Sequence, residues 1–258
     1  MSACAALGQT QKAEAVTLAS HRAVYDLKMQ RSDSGLGLSI RGRLALEFKD
    51  VCDGYTLTQR LRTEMVNADG EARNTEYSIT SWESRDGRRY RYNIKNDTQG
   101  QQVEEFSGNA ETQNRTRIGK AKFNKPAGLV MDLPAGTIYP SEHVAVLIRE
   151  ARAGTHFVPA KVFDGSGEDS LFFVGASVGK KLPALGDGNP LLKPLKGQAA
   201  WPMRLAYFPA GVKTEQPQYE IAFRMFENGI SDELIMDYGE YALKGTLTVL
   251  ELFPRPSC

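Results

Sequence analysis

Three sets of side chains in this 258-residue chain have the types and spacing for chemistry: three cysteines, one Gly-x-Ser-x-Gly match and three histidines. Cys52 and Cys258 each end an apolar, strand-like segment, whereas Cys4 lies in an Ala-rich leader. The reading is a Cys52–Cys258 disulfide; the alternative is two unrelated thiols, one on a frayed C-terminus. A bond would close a loop of about 200 residues and add about 5 kcal/mol at most on the chain-entropy account. It persists only outside the reducing cytosol.

Gly175-Ala176-Ser177-Val178-Gly179 matches a nucleophile elbow, and Leu171 to Val174 before it read as a strand. An elbow needs a helix after the serine and a histidine later in the chain. Here Lys180, Lys181, Leu182 and Pro183 follow, and no histidine comes after His156. The segment therefore reads as a glycine-flanked strand end, and no enzyme is expected. His21, His143 and His156 have no Cys or His at zinc-ligand spacing. They read as ordinary polar residues, with no metal and no cofactor. His143 falls in the first turn of an expected helix, where an anion can bind. Glu104 and Glu105 are strand neighbours pointing to opposite faces, so they do not form a carboxylate pair.

These residues sit in a chain that is 41% hydrophobic with 32 Lys and Arg against 31 Asp and Glu. Such a chain can bury a normal core, and its net charge of +1 supplies no field for nucleic acid. The basic run Arg85 to Arg91 flanks a turn and reads as a solvated hairpin tip. No apolar run is long enough for a membrane-spanning helix. Residues 1–16 read as the remnant of a secretory leader, with Ala13-Glu14-Ala15 before Val16 and Ala3-Cys4-Ala5 as alternative cleavage sites. Residues 17–258 then form one exported domain.

Period-two alternation dominates that domain. Tyr25, Leu27 and Met29 share a face, as do Leu44, Leu46 and Phe48, and Tyr219, Ile221, Phe223 and Met225. Asp69-Gly70, Asp86-Gly87, Asp164-Gly165 and Asn228-Gly229 supply turns between such runs. The expectation is an all-β antiparallel meander of about a dozen strands. One helix interrupts it, capped by Ser141 and ending near Ala153 before Gly154. Its stripe of Val144, Leu147, Ile148 and Ala151 must be buried against the sheet. A large sheet with one apolar face curls to cover itself, which predicts an open barrel gripping the helix. The stretch from Leu182 to Pro202 reads as a long loop.

Several phrases together carry a family likeness. They are Leu18-Ala19-Ser20-His21-Arg22-Ala23-Val24-Tyr25-Asp26-Leu27, Gly42-Arg43, Cys52-Asp53-Gly54-Tyr55 and Leu133-Pro134-Ala135-Gly136-Thr137. Tyr139-Pro140-Ser141-Glu142-His143, Val162-Phe163-Asp164-Gly165, Asp237-Tyr238-Gly239 and terminal Cys258 complete the set. From about residue 17 onward the chain resembles the EipB family of periplasmic cell-envelope integrity proteins of Gram-negative bacteria. The resemblance implies a β-spiral clasping a helix, a disulfide carried by Cys52 and Cys258, a periplasmic location and a non-enzymatic role in envelope integrity. It also implies a connection with a periplasmic tetratricopeptide-repeat partner.

Two functions follow. The first is binding of an envelope amphiphile (lipopeptide, glycolipid or peptidoglycan fragment) in a groove between helix and sheet, lined by Val144, Leu147, Ile148, Phe223 and Met225. The second is a scaffold that docks an envelope partner protein without any small ligand.

Overall fold

The computed structural model describes residues 15–258 except 33–36, 114, 115, 117 and 187. Cys4 and residues 1–14 of the expected leader lie outside the described residues, while Val16 packs against the core beside the helix. The first half of the fold is a meander of long strands. These are β1 (His21–Ser32), β2 (Ser39–Asp50), β3 (Gly54–Val66), β4 (Ala72–Ser84) and β5 (Arg89–Thr98). It continues through β6 (Gln101–Glu111), β7 (Gly119–Lys125) and β8 (Val130–Leu133). The second half begins with β9 (Thr137–Ile138), helix α1 (Pro140–Arg152) and β10 (Phe157–Phe163). Then follow β11 (Leu171–Val178), β12 (Ala200–Pro209), β13 (Tyr219–Phe226), β14 (Ser231–Asp237) and β15 (Tyr241–Leu252).

All fifteen strands form one sheet, in the order β8 back to β1, then β15 back to β9. The seam is the antiparallel pairing of β1 with β15, from His21 opposite Leu252 to Ser32 opposite Tyr241. Every neighbouring pair is antiparallel except β9 and β10, which α1 connects. A parallel pair cannot be joined by a tight turn, so the helix is the crossover that this connection requires.

Strand alternation decides what faces inward. Ala23, Tyr25 and Leu27 of β1 are buried opposite Leu46, Leu44 and Gly42 of β2. The inner faces of β10 to β13 enclose the helix, with Leu147 1% and Ile148 0% exposed among Val158, Val174, Met203 and Met225. Tyr90 and Tyr139 stack at 5.1 Å beside Phe163, Tyr92 and Phe123, joining β5 and β7 to the start of α1 and the end of β10. The curled sheet around one helix agrees with the expected architecture.

Three local expectations change. Among the described residues the strands number fifteen rather than about a dozen, in part because Val130–Leu133 and Thr137–Ile138 are too short to show an alternating pattern. The helix starts one residue earlier, with Pro140 in its first turn, Tyr139 at the N-cap and no side-chain cap of its own. Pro there suits the fixed φ of a first turn, so Ser141 lies inside the helix and does not cap it. The stretch from Leu182 to Pro202 holds a 3-10 turn at Pro190–Leu195, which buries Leu192 and Leu195, and the start of β12.

Cys52 and Cys258 are joined, with Cα atoms 5.8 Å apart across a sequence separation of 206. The bond ties the tail beyond β15 to the β2–β3 turn. On the chain-entropy account, replacing either cysteine by Ser will lower the unfolding free energy by about 2–5 kcal/mol. The double replacement should cost little more than one, since both remove the same link. Urea unfolding of oxidised protein and of the three variants checks both statements. Leu147→Ala, which leaves a void in the tightest part of the core, should cost about 3 kcal/mol in the same assay.

Candidate functional site

The first turn of α1 has backbone N–H groups that no residue of the helix can accept. Glu83, the last inward-facing residue of β4, accepts from both Ser141 N (2.7 Å) and Glu142 N (2.8 Å). Alternation puts Glu83 on the same face as Tyr77, Ile79 and Ser81, and it is only 3% exposed. Burial raises its carboxyl to about 7, against the two helix N–H bonds, which favour the charged form. His143, one turn in, is also buried; desolvation lowers it to about 4, and its Nε2 has no partner. The anion position anticipated beside His143 is therefore filled by a carboxylate of the protein itself.

Next to this junction is an apolar cavity of about 170 Å³. Leu46, Phe48 and Leu57 form its sheet wall, Pro140 and Val144 its helix wall, and Leu18 covers it. Leu18 is held by Ala19 N donating to Asn228 O (2.8 Å) in the β13–β14 turn. Gly229 in that turn has φ 86°, a conformation that favours glycine, and a Cβ there would lie 2.8 Å from Leu18 Cδ2 and push that side chain aside. The polar groups at the cavity are mostly engaged: Tyr25 OH donates to Ser231 O (2.6 Å), and His21 Nδ1 pairs with Ala19 O (2.8 Å). Burial lowers the His21 pKa, favouring the neutral ring.

The disulfide turn stands directly behind this wall. Phe48 stacks on Tyr55 at 5.3 Å across β2 and β3. Arg85 donates from Nε to Cys52 O (2.7 Å), pairs with Asp50, and lies over the Tyr55 ring. Ser20 accepts Phe253 N at its carbonyl (2.8 Å) and Asp50 N at its hydroxyl (2.9 Å). The segment before β1, the β2–β3 turn and the C-terminal tail thus meet at one end of the barrel. Arg85 belongs to the basic run read as a solvated tip, yet it laces this junction; Arg89 and Arg91 lie over the Trp82 ring on the outer face.

Of the five groove residues expected from the sequence, Val144 lines the cavity. Leu147, Ile148 and Met225 are buried in the core around α1, with Phe223 half-buried against them. Leu18, Phe48 and Glu83 were not anticipated at the site. Ser177 lies in β11 on the exposed outer face, opposite Phe157 and Arg204, and the strand continues to Val178. A larger recess of about 900 Å³ lies on the outer face of β1 to β5. It is walled by exposed ion pairs such as Arg43–Asp26 (2.9 Å) and Arg41–Glu64 (2.7 Å).

Comparison with known proteins supplies the context. The profile of the EipB-like family matches residues 12–254. The cell envelope integrity protein EipB of Brucella abortus (strain 2308) is 32% identical over 250 residues, covering 95% of this chain and 88% of that protein. The crystal structure of a β-barrel-like protein of a domain of unknown function from Brucella abortus superposes with a TM-score of 0.86 at 30% identity. That match spans 93% of this chain and 100% of the other.

Between about pH 4.5 and 7 a folded Glu83 keeps the proton that the unfolded chain has lost. Raising the pH through that window therefore costs the folded state stability. His143 acts oppositely between about 4 and 6.5, where only the unfolded chain takes up the proton. Comparing wild type with Glu83→Gln cancels the histidine contribution. The stability of the wild type relative to that variant should fall as pH rises from 4.5 to 7 and then level off. Urea unfolding at a series of pH values reads this directly, and parallel pH curves for the two proteins would refute it.

Proposed function

The chain belongs to the EipB-like family, and from that premise we propose that it is a periplasmic, non-enzymatic protein that maintains cell-envelope integrity by holding the apolar part of an envelope amphiphile. The name of the Brucella relative supports the envelope role. The observation that carries ligand holding is the cavity walled by Leu46, Phe48, Leu57 and Val144. An apolar cavity of about 150 Å³ takes a benzene-sized group, so this one suits a short stretch of acyl chain rather than a whole lipid. Leu18 lines the cavity beside Asn228 and Gly229, and a longer chain enters only if that segment moves aside. The helix packs inside the sheet and is not displaced.

A periplasmic location agrees with the Cys52–Cys258 bond, since such bonds persist in oxidising compartments. Among the described residues no helix is long and apolar enough to cross a membrane. Docking of a tetratricopeptide-repeat partner without a ligand is the competing reading, and it makes no use of the cavity.

Val144→Phe adds bulk on the helix wall of the cavity and leaves Leu147 and Ile148 unsubstituted, and it separates the two readings. Native mass spectrometry of the protein taken from the periplasm should show a bound lipid-derived mass in the wild type and its loss in the variant. The variant should also fail to restore envelope resistance to detergent in a deletion strain, at normal protein abundance. An unliganded wild type together with full rescue by Val144→Phe would sink ligand holding and favour the partner-docking role.

A further inference from the structure

We propose that the barrel rim beside the C-terminal end of α1, with the adjoining outer wall of β10 to β12, docks onto an anionic phospholipid surface. This site lies apart from the apolar cavity, and the proposal stands whether or not that cavity holds a ligand.

The first observation is an apolar face where a soluble sheet ordinarily shows polar residues. The outward residues of β10, β11 and β12 form three rows across the strands: Phe157–Ser177–Arg204, Pro159–Gly175–Ala206 and Lys161–Phe173–Phe208. Phe157 is 62% and Phe173 45% exposed, and Phe208 beside Phe173 is half-buried. Gly175 leaves room for the Phe157 ring to lean inward over the strand; a Cβ at Gly175 would stand 3.4 Å from that ring. The two exposed rings are thereby bridged by Pro159, Gly175 and Ala206 into one continuous patch. Such patches on a soluble fold mark a surface that meets a protein or a membrane.

The second observation is a cationic recess where this wall meets the rim. It has a volume of about 480 Å³ and is lined by Arg152, His156, Lys180, Lys181, Trp201 and Glu227. Three permanent cations against one carboxylate give it an excess of two positive charges, in a chain whose total net charge is +1. Arg152 approaches Glu227 at 3.6 Å, whereas among the described residues Lys180 and Lys181 are paired with no carboxylate. His156 uses Nδ1 on Val178 O (2.9 Å), which leaves Nε2 available. Nearby charges are already engaged: Glu150 accepts from Thr155, and Arg204 pairs with Glu220 at 2.8 Å.

His156 and Phe157 are consecutive, so recess and patch meet at one corner of the molecule. Exposed phenylalanines flanked by unpaired lysines are the combination that interfacial segments use, rings entering the acyl boundary and cations meeting phosphate. Charge complementarity therefore favours an anionic lipid surface over a protein partner or a second copy of this chain.

The test is flotation of the full chain with vesicles of equal parts phosphatidylglycerol and phosphatidylcholine, against vesicles of phosphatidylcholine alone. Binding to the first and not the second is expected, weakening as salt screens the cations. Lys180→Glu with Lys181→Glu should reduce the vesicle partition constant on the order of tenfold or more. Phe157→Ser with Phe173→Ser should reduce it comparably while leaving the melting temperature unchanged; if that pair fails to fold, the lysine pair carries the test alone. Absence of vesicle binding, equal binding to both compositions or unchanged binding by the lysine pair would overturn the proposal. So would a dimer in lipid-free sedimentation velocity that Phe157→Ser dissociates, since the patch would then serve a second copy of the chain.

Discussion

A helix enclosed by a curled sheet must have its free backbone N–H groups answered inside the protein, and here one carboxylate does it. Glu83 reaches from the far wall to Ser141 and Glu142, so the position of α1 along the barrel is set by a strand 58 residues away in sequence. Much else follows from that contact. The apolar stripe of Leu147 and Ile148 is held against β10 to β13, and the first turn is held short of the β1–β3 wall. The space left between that turn and the wall is the apolar cavity.

Burial makes this contact costly for a charged group, which is why Glu83 is pushed up toward neutrality while His143 is pushed down. Both shifts favour an uncharged interior near the helix start. A protonated Glu83 can still accept helix N–H groups through its carbonyl oxygen, so the contact survives loss of charge in a weaker form. The exposed ion pairs of the outer wall are different in kind. Arg22 with Glu47 and Arg43 with Asp26 are solvated on both sides and contribute little to stability.

The alternation of Tyr219, Ile221, Phe223 and Met225 was legible because the four face Tyr207, Leu205, Met203 and Trp201 of β12 in unbroken register, although β13 is bulged against β14. The Asn228-Gly229 turn was legible because its φ of 86° admits few residues. The disulfide was legible because the sequence offers few cysteines, and Cys4 lies apart from the other two in an Ala-rich stretch. The true helix cap was not. Local rules point to Ser141, since they weigh only residues adjacent in sequence, whereas the acceptor is supplied by tertiary contact. The groove was legible only in part. Val144, Leu147 and Ile148 share one stripe, and periodicity reports that a residue is turned inward without saying whether another side chain or a void faces it. Leu192 and Leu195 were missed because a 3-10 turn between prolines shows neither helical nor strand periodicity.

The seam between β1 and β15 governs when this protein can become itself. The pairing that closes the sheet joins β1, the first strand described, to β15, the last. Contacts of such long range form slowly, because the loop must close before any of them repays the lost entropy. Until that pairing forms, the chain carries two half-sheets whose edges have no partner. That delay has a use: an unfinished meander is still thin enough to pass through a narrow channel, and once the sheet has closed the Cys52–Cys258 bond locks the tail in place.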